Sequence, residues 1–268
     1  MFISHKYRVI FVHIQRTGGY SIHDVFRRYD PELIESVPID PARKRVRHCH
    51  IGDIRAAMDA ELFNSYRKFC VVRHPYARMQ SWYWVLKKGY GKNEPRMKAD
   101  KFHLKVYQQG IHYLNRHPNP FKARLAGHWT RFFRALSGAG NNSSTGLTLR
   151  GENIGNQVLS EINRHARSFH DFLNLPRERA DGLFERFYTS QFDYISEQGE
   201  VLIDDVLRFE QLDRDFTAFA EKIDFPGRLP HLNKSAAPPG NRNNPDEAGK
   251  EIIRKRFEKD FIYFGYRE

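Results

Sequence analysis

Three short stretches carry the residues able to do chemistry. The first is Gln15-Arg16-Thr17-Gly18-Gly19-Tyr20-Ser21. Paired glycines let a backbone approach an anion closely. Where such a turn opens a helix, the first amides and the helix dipole attract phosphate or sulfate. Arg16 adds a fixed positive charge, and Thr17 and Ser21 add hydroxyls. The spacing is not that of a Walker A loop. Taken alone, it also describes a plain tight turn between a strand and a helix. The second stretch is Arg73-His74-Pro75-Tyr76-Ala77-Arg78-Met79-Gln80-Ser81. Arg73 and Ser81 can converge on one phosphate, the arginine as a fork of donors and the serine as a hydroxyl. Arg78, three residues before Ser81, shares its helix face. A solvated basic helix start is the plainer description. The third is Arg47-His48-Cys49-His50-Ile51. Histidine is the usual proton acceptor near neutral pH. In an extended segment His48 and His50 point to the same side. That also suits a pair of metal ligands, but no further ligands follow at zinc-like spacing, so no metal is expected. Two histidines held within a loop is the remaining alternative.

These stretches need elements to hold them. Tyr7 to Ile14 is short, apolar and β-rich, as a buried parallel strand should be. The glycine turn follows, and then a helix with Ile22, Val25, Phe26 and Tyr29 on one stripe. The pattern repeats with a strand at Lys68 to Val72, a turn at Arg73-His74-Pro75, and a helix from about Pro75 to Lys88. That helix carries Met79, Trp82, Tyr83 and Leu86 on one face, with Pro75 in its first turn. Strand-turn-helix twice over predicts an α/β fold, a parallel sheet flanked by helices. From about 89 to 151 the rhythm breaks into a basic tract, read as a mainly helical insertion within a single domain spanning 1–268. Further on, Val201 to Ile203 and Val206 to Phe209 read as strands, and Leu212, Phe216, Phe219 and Ile223 mark a helix. A C-terminal helix carries Ile253, Phe257 and Phe261 on one stripe.

Composition bounds the rest. The chain has 268 residues, 40% hydrophobic and 14% aromatic, enough for a sizeable core. A formal charge of +12 favours anionic partners without choosing among nucleic acid, nucleotides, acidic membranes and glycans. The two cysteines, Cys49 and Cys70, are too few for a disulfide framework. The opening Met1-Phe2-Ile3-Ser4-His5-Lys6 lacks the apolar core of a signal peptide, and no run approaches the length of a membrane span. A soluble, cytoplasmic protein is expected, with peripheral membrane contact compatible.

Together, Val12 to Ser21 and Val72 to Ser81 closely resemble two signatures of sulfotransferases that use 3′-phosphoadenosine 5′-phosphosulfate (PAPS). These are the 5′-phosphosulfate loop H-I-P-K-T-G-G-T-S and the 3′-phosphate segment R-D-P-x-x-R-x-x-S. The carbohydrate branch, which includes the heparan sulfate 2-O and chondroitin enzymes, is the nearest. The resemblance continues in Ser168-Phe169, Gln191-Phe192-Asp193-Tyr194, Leu207 to Leu212, Leu229-Pro230-His231-Leu232-Asn233-Lys234-Ser235 and Asp260 to Tyr266. It implies a three-layer, P-loop-like sulfotransferase fold. It also implies PAPS as donor and 3′-phosphoadenosine 5′-phosphate (PAP) as product, with an acceptor hydroxyl, most readily on a saccharide or glycolipid. On the same basis Gln15, Arg16, Thr17, Gly18, Gly19, Tyr20, Ser21, Arg73, Arg78, Ser81 and Lys234 would bind the donor. His50, with His48 beside it, would be the base, and Arg16 would assist the leaving group. The H-x-H pattern before the 3′-phosphate strand is similar to that of the heparan sulfate 2-O branch, whose second histidine points to His50. Two departures stand out. Arg16 replaces the family's lysine and follows Gln15 instead of proline, and His74 replaces the aspartate of R-D-P. Arginine keeps the charge but not the geometry. A kinase-like transferase and a nucleic-acid binder are the competing readings. The first lacks the Walker lysine and evident magnesium carboxylates. The second lacks any concentrated recognition module, so no nucleic-acid partner is expected.

Overall fold

The computed structural model describes residues 1–37, 48–88, 97–99, 147–149, 154–179, 183–229 and 245–267. Their packing divides into two compact units.

The first unit, within Met1–Val72 and Tyr194–Leu232, is built on a four-stranded sheet. Its strands are β1 (Phe2–Ser4), β2 (Val9–Val12), β3 (Arg67–Val72) and, later in the chain, an edge strand at Asp205–Arg208, lying side by side in that order. β2 and β3 are parallel, with Val9 opposite Arg67 and Val12 opposite Cys70. β3 and the edge strand are parallel too, with Phe69 opposite Asp205 and Val72 opposite Arg208. β1 was not expected. It pairs antiparallel with β2, Phe2 opposite Phe11, so the sheet has an antiparallel edge. Its brevity and its position before a polar turn hid it from pattern reading. All four residues of β2 are buried, the signature of a strand covered on both faces. Helix α1 (Gly19–Tyr29) and a later helix at Leu212–Lys222 close one face. Ile22, Val25 and Phe26 from the first and Phe216 and Phe219 from the second pack on Phe2, Phe11, Phe69 and Leu207. Two short helices, α2 (Ile51–Ala57) and α3 (Ala60–Ser65), lead into β3. Asp205 at the start of the edge strand bonds Arg67 and Lys222, tying strand to strand and strand to helix. Cys49 and Cys70 are buried and unlinked, and burial pushes the Cys70 thiol up.

The second unit, within Arg73–Asn93, Glu152–Asp193 and Asn233–Glu268, is helical. It comprises α4 (Pro75–Lys88), α5 (Ile154–His165), α6 (Phe169–Leu173), a 3-10 turn at Leu183–Phe187, the start of α7 (Gln191–Ile195), and two C-terminal helices. The expected face of α4 is buried: Met79, Trp82, Tyr83 and Leu86 pack on Ile162, Phe172, Phe187 and Phe257. The single C-terminal helix expected from Ile253, Phe257 and Phe261 is two helices, Glu247–Arg256 and Glu258–Phe264. Phe257 leaves helical geometry between them, at φ −119 and ψ 30, while staying in the core. The break lets Asp260 turn inward, where it is fully buried.

Of the tract expected to be a helical insertion, the described residues form a parallel pair of short strands, Met97–Ala99 against Leu147–Leu149. The rest lies outside the described residues. Among the described residues, no helix is long and apolar enough to cross a membrane.

Candidate functional site

β2 delivers the first candidate turn and β3 the second. Within the first unit the two strands are parallel neighbours, so their carboxyl ends lie at the same edge of its sheet. Ligands of open α/β sheets bind at that edge, beyond the carboxyl ends of the strands.

The first turn, in the first unit, is shaped by backbone geometry that few residues tolerate. Arg16 sits at φ 69 and Gly18 at φ 84, both left-handed. A non-glycine residue held there stores strain, a feature that clusters at binding turns. The buried Thr17 hydroxyl donates to the Ile14 carbonyl at 2.9 Å and locks the turn. Gly18 precedes α1, and among the described residues no side chain caps that helix. Its first turn holds no acidic residue, so its positive end meets no carboxylate from its own first turn. Gln15, Thr17 and Ser21 are buried, while Arg16 and Tyr20 are half-buried.

Neither glycine has room for a side chain. A Cβ on Gly18 would lie 2.8 Å from the Phe209 ring, and one on Gly19 would run into the His13 ring. Gly18→Ala therefore combines a left-handed alanine with a steric clash. It is expected to cost about 2–3 kcal/mol of stability, read as a drop in Tm, and to weaken anion binding in the same protein.

The histidines follow from this packing. His13 ends β2, and its ring lies 4.5 Å from that of His48. The His13 carbonyl lies 2.9 Å from His48 Nδ1. A carbonyl only accepts, so His48 Nδ1 carries the proton of this bond, which orients the ring. His48, His13 and Gly19 thus form a continuous contact ending at the start of α1. His50 is placed differently. Its amide donates to Asp53 Oδ2 at 2.9 Å at the head of α2, and its ring lies 4.7 Å from Tyr194. His48 lies at a bend and His50 is extended, at φ −78 and ψ 161, and the two rings have separate neighbours. Among the described residues, no group of three or more His, Cys, Asp or Glu is arranged to hold a metal ion.

The second turn belongs to the second unit. Arg73 is half-buried directly after β3, and Ser81 is half-buried on α4. Arg78, expected to face a ligand, is 1% exposed. Its guanidinium donates to the Thr189 carbonyl at 3.1 Å and lies over the Phe257 ring. His74, which stands where the resembled motif has aspartate, is held at both ring nitrogens. Its Nδ1 accepts from the Tyr76 amide at 3.3 Å, the capping task of an aspartate. Nε2 then carries the proton and donates to the Arg267 carbonyl at 2.9 Å. Lys234 lies outside the described residues.

Two residues that pattern reading quoted without a role stand out here. Gln191 brackets the Arg73 backbone, accepting from its amide at 2.8 Å and donating to its carbonyl at 2.8 Å. Asp260 accepts from Gln191 Nε2 at 3.2 Å and from the Phe192 amide at 2.9 Å. Burial pushes the Asp260 carboxyl up, opposed by the charge of Arg78. In the sequence only their place within the stretches Gln191 to Tyr194 and Asp260 to Tyr266 hints at them.

A family model described as the sulfotransferase family matches residues 1–267. Among curated proteins and among solved structures, nothing matches the chain.

Proposed function

This chain belongs to the sulfotransferase family, and we propose that it moves the sulfuryl group of PAPS to a hydroxyl of a saccharide or glycolipid, releasing PAP. The observation that carries this reading is the turn between β2 and α1. Its left-handed Arg16 and Gly18, its crowded glycines and its uncapped helix make a cradle that fits an anion and admits no side chain. Gln15 to Ser21 would hold the 5′-phosphosulfate, and Arg73 and Ser81 the 3′-phosphate, with Lys234 a further contact. Arg78, being buried, supports the reading through the fold of its turn. The three-layer, P-loop-like arrangement, a single catalytic domain over 1–268 and a cytoplasmic location belong to the same proposal.

In the proposed step the acceptor oxygen attacks sulfur, and the bond from sulfur to the bridging oxygen breaks. The acceptor proton passes to a histidine, and PAP leaves with the bridging electron pair. Arg16 stabilises the charge gathering on that oxygen. The histidine comes from the His48–His50 pair. Motif position favours His50, whereas the bond from Nδ1 to the His13 carbonyl, which orients the ring, favours His48. No metal is required in this scheme.

Calorimetry against PAP, ATP and a DNA oligomer tests the donor. PAP is expected to bind tightly and ATP weakly. Salt-sensitive binding to DNA alone would replace this reading with a nucleic-acid binder. A transfer screen with labelled PAPS over sugars, glycolipids and phenols identifies the acceptor.

A further inference from the structure

The geometry points to Gln191, anchored by Asp260, as the positioning residue that sets Arg73 to grip a phosphate. Arg73 lies where a strand has ended and a helix has yet to begin, so neither ladder nor helix holds both of its backbone groups. The Gln191 carboxamide fills that gap like a short piece of neighbouring strand. One atom accepts from the Arg73 amide and the other donates to the Arg73 carbonyl, both at 2.8 Å. A carboxamide can do this only if its own plane is fixed.

Three contacts fix it. Asp260 takes the second hydrogen of Gln191 Nε2 and, with its other oxygen, the Phe192 amide. Arg78 holds the Thr189 carbonyl, two residues upstream. The Ser190 hydroxyl accepts from the Asp193 amide at 3.0 Å and starts α7. Gln191 and Asp260 are both fully buried. Buried polar groups this well matched specify one arrangement, and removing one member leaves its partners unsatisfied. The charge of Arg78 is thus spent inside the protein, holding the support of Arg73.

This inference rests on the reading of Arg73 as a phosphate ligand, and the experiment separates the two. PAP and AMP differ only in the 3′-phosphate that Arg73 would hold. Affinities for both are measured by calorimetry in the native protein, in Gln191→Ala and in Asp260→Asn. The native protein is expected to prefer PAP. Gln191→Ala is expected to lose about tenfold in PAP affinity with AMP nearly unchanged, because a charge-assisted phosphate contact is misplaced. Asp260→Asn, which keeps one acceptor, should shift the same ratio less. An unchanged PAP-to-AMP ratio in both folded variants overturns the positioning role, as does an equal loss of both nucleotides. A native protein with no preference for PAP overturns the donor reading itself. Should Gln191→Ala fail to fold, the milder Asp260→Asn decides by the same ratio.

Discussion

His48→Ala lowers kcat by about 10²–10⁴-fold with PAP affinity held within a few-fold, the expected result if its Nε2 takes the acceptor proton. The expectation follows from one hydrogen bond. The His13 carbonyl can only accept, so His48 Nδ1 donates to it and the ring is oriented with Nε2 outside that bond. That ring also touches His13, whose own ring crowds Gly19 at the head of α1. The same measurement on His50→Ala divides the pair. A larger loss there, with His48→Ala near native, assigns the base to His50, as motif position suggests. Normal turnover in both variants removes this pair from the chemistry. The pH profile gives a second check. A base must be unprotonated to work, so native kcat/KM should fall on the acid side, and that limb should vanish in the variant lacking the base.

Arg16→Ala should reduce kcat by about 10²–10³-fold, the usual effect of removing a group that meets charge developing in the transition state. Arg16→Lys restores the residue usual in the family and should retain most of the rate. Lysine offers a point charge where arginine offers a planar fork, so the two need not place it identically. Arg16 is held at φ 69 in a turn locked by the bond from Thr17 to the Ile14 carbonyl, which neither substitution removes. A fall in PAP affinity equal to the fall in kcat/KM, with kcat unchanged, would make Arg16 a binding residue only.

Much of this was legible in the residue order. Val9 to Val12, the glycine turn and the stripe of Ile22, Val25 and Phe26 are consecutive, so strand, turn and helix follow from local preference and periodicity. The face of α4 was legible for the same reason, since Met79, Trp82, Tyr83 and Leu86 recur with the helical period. The failures have physical causes too. β1 is three residues long and gains its identity from pairing with β2. The C-terminal stripe was continuous across Phe257, yet the helix breaks there, because burying Asp260 against Gln191 and Phe192 overrides the preference for one straight helix.

The site divides along the same line. The sequence by itself determined that two turns each join a strand to a helix and that histidines stand between them. Tertiary structure alone decided what each side chain does. Arg78 has the spacing of a ligand, and in the packed unit its guanidinium meets the Thr189 carbonyl and lies over the Phe257 ring. The His48 ring is oriented because the His13 carbonyl, 35 residues earlier, meets its Nδ1. Gln191 reaches Arg73 across 118 residues and Asp260 reaches Gln191 across 69. A turn depends on neighbours in the chain and can be read from them. The donor, acceptor and tautomer of a side chain depend on neighbours in space, and only the packed core brings those together.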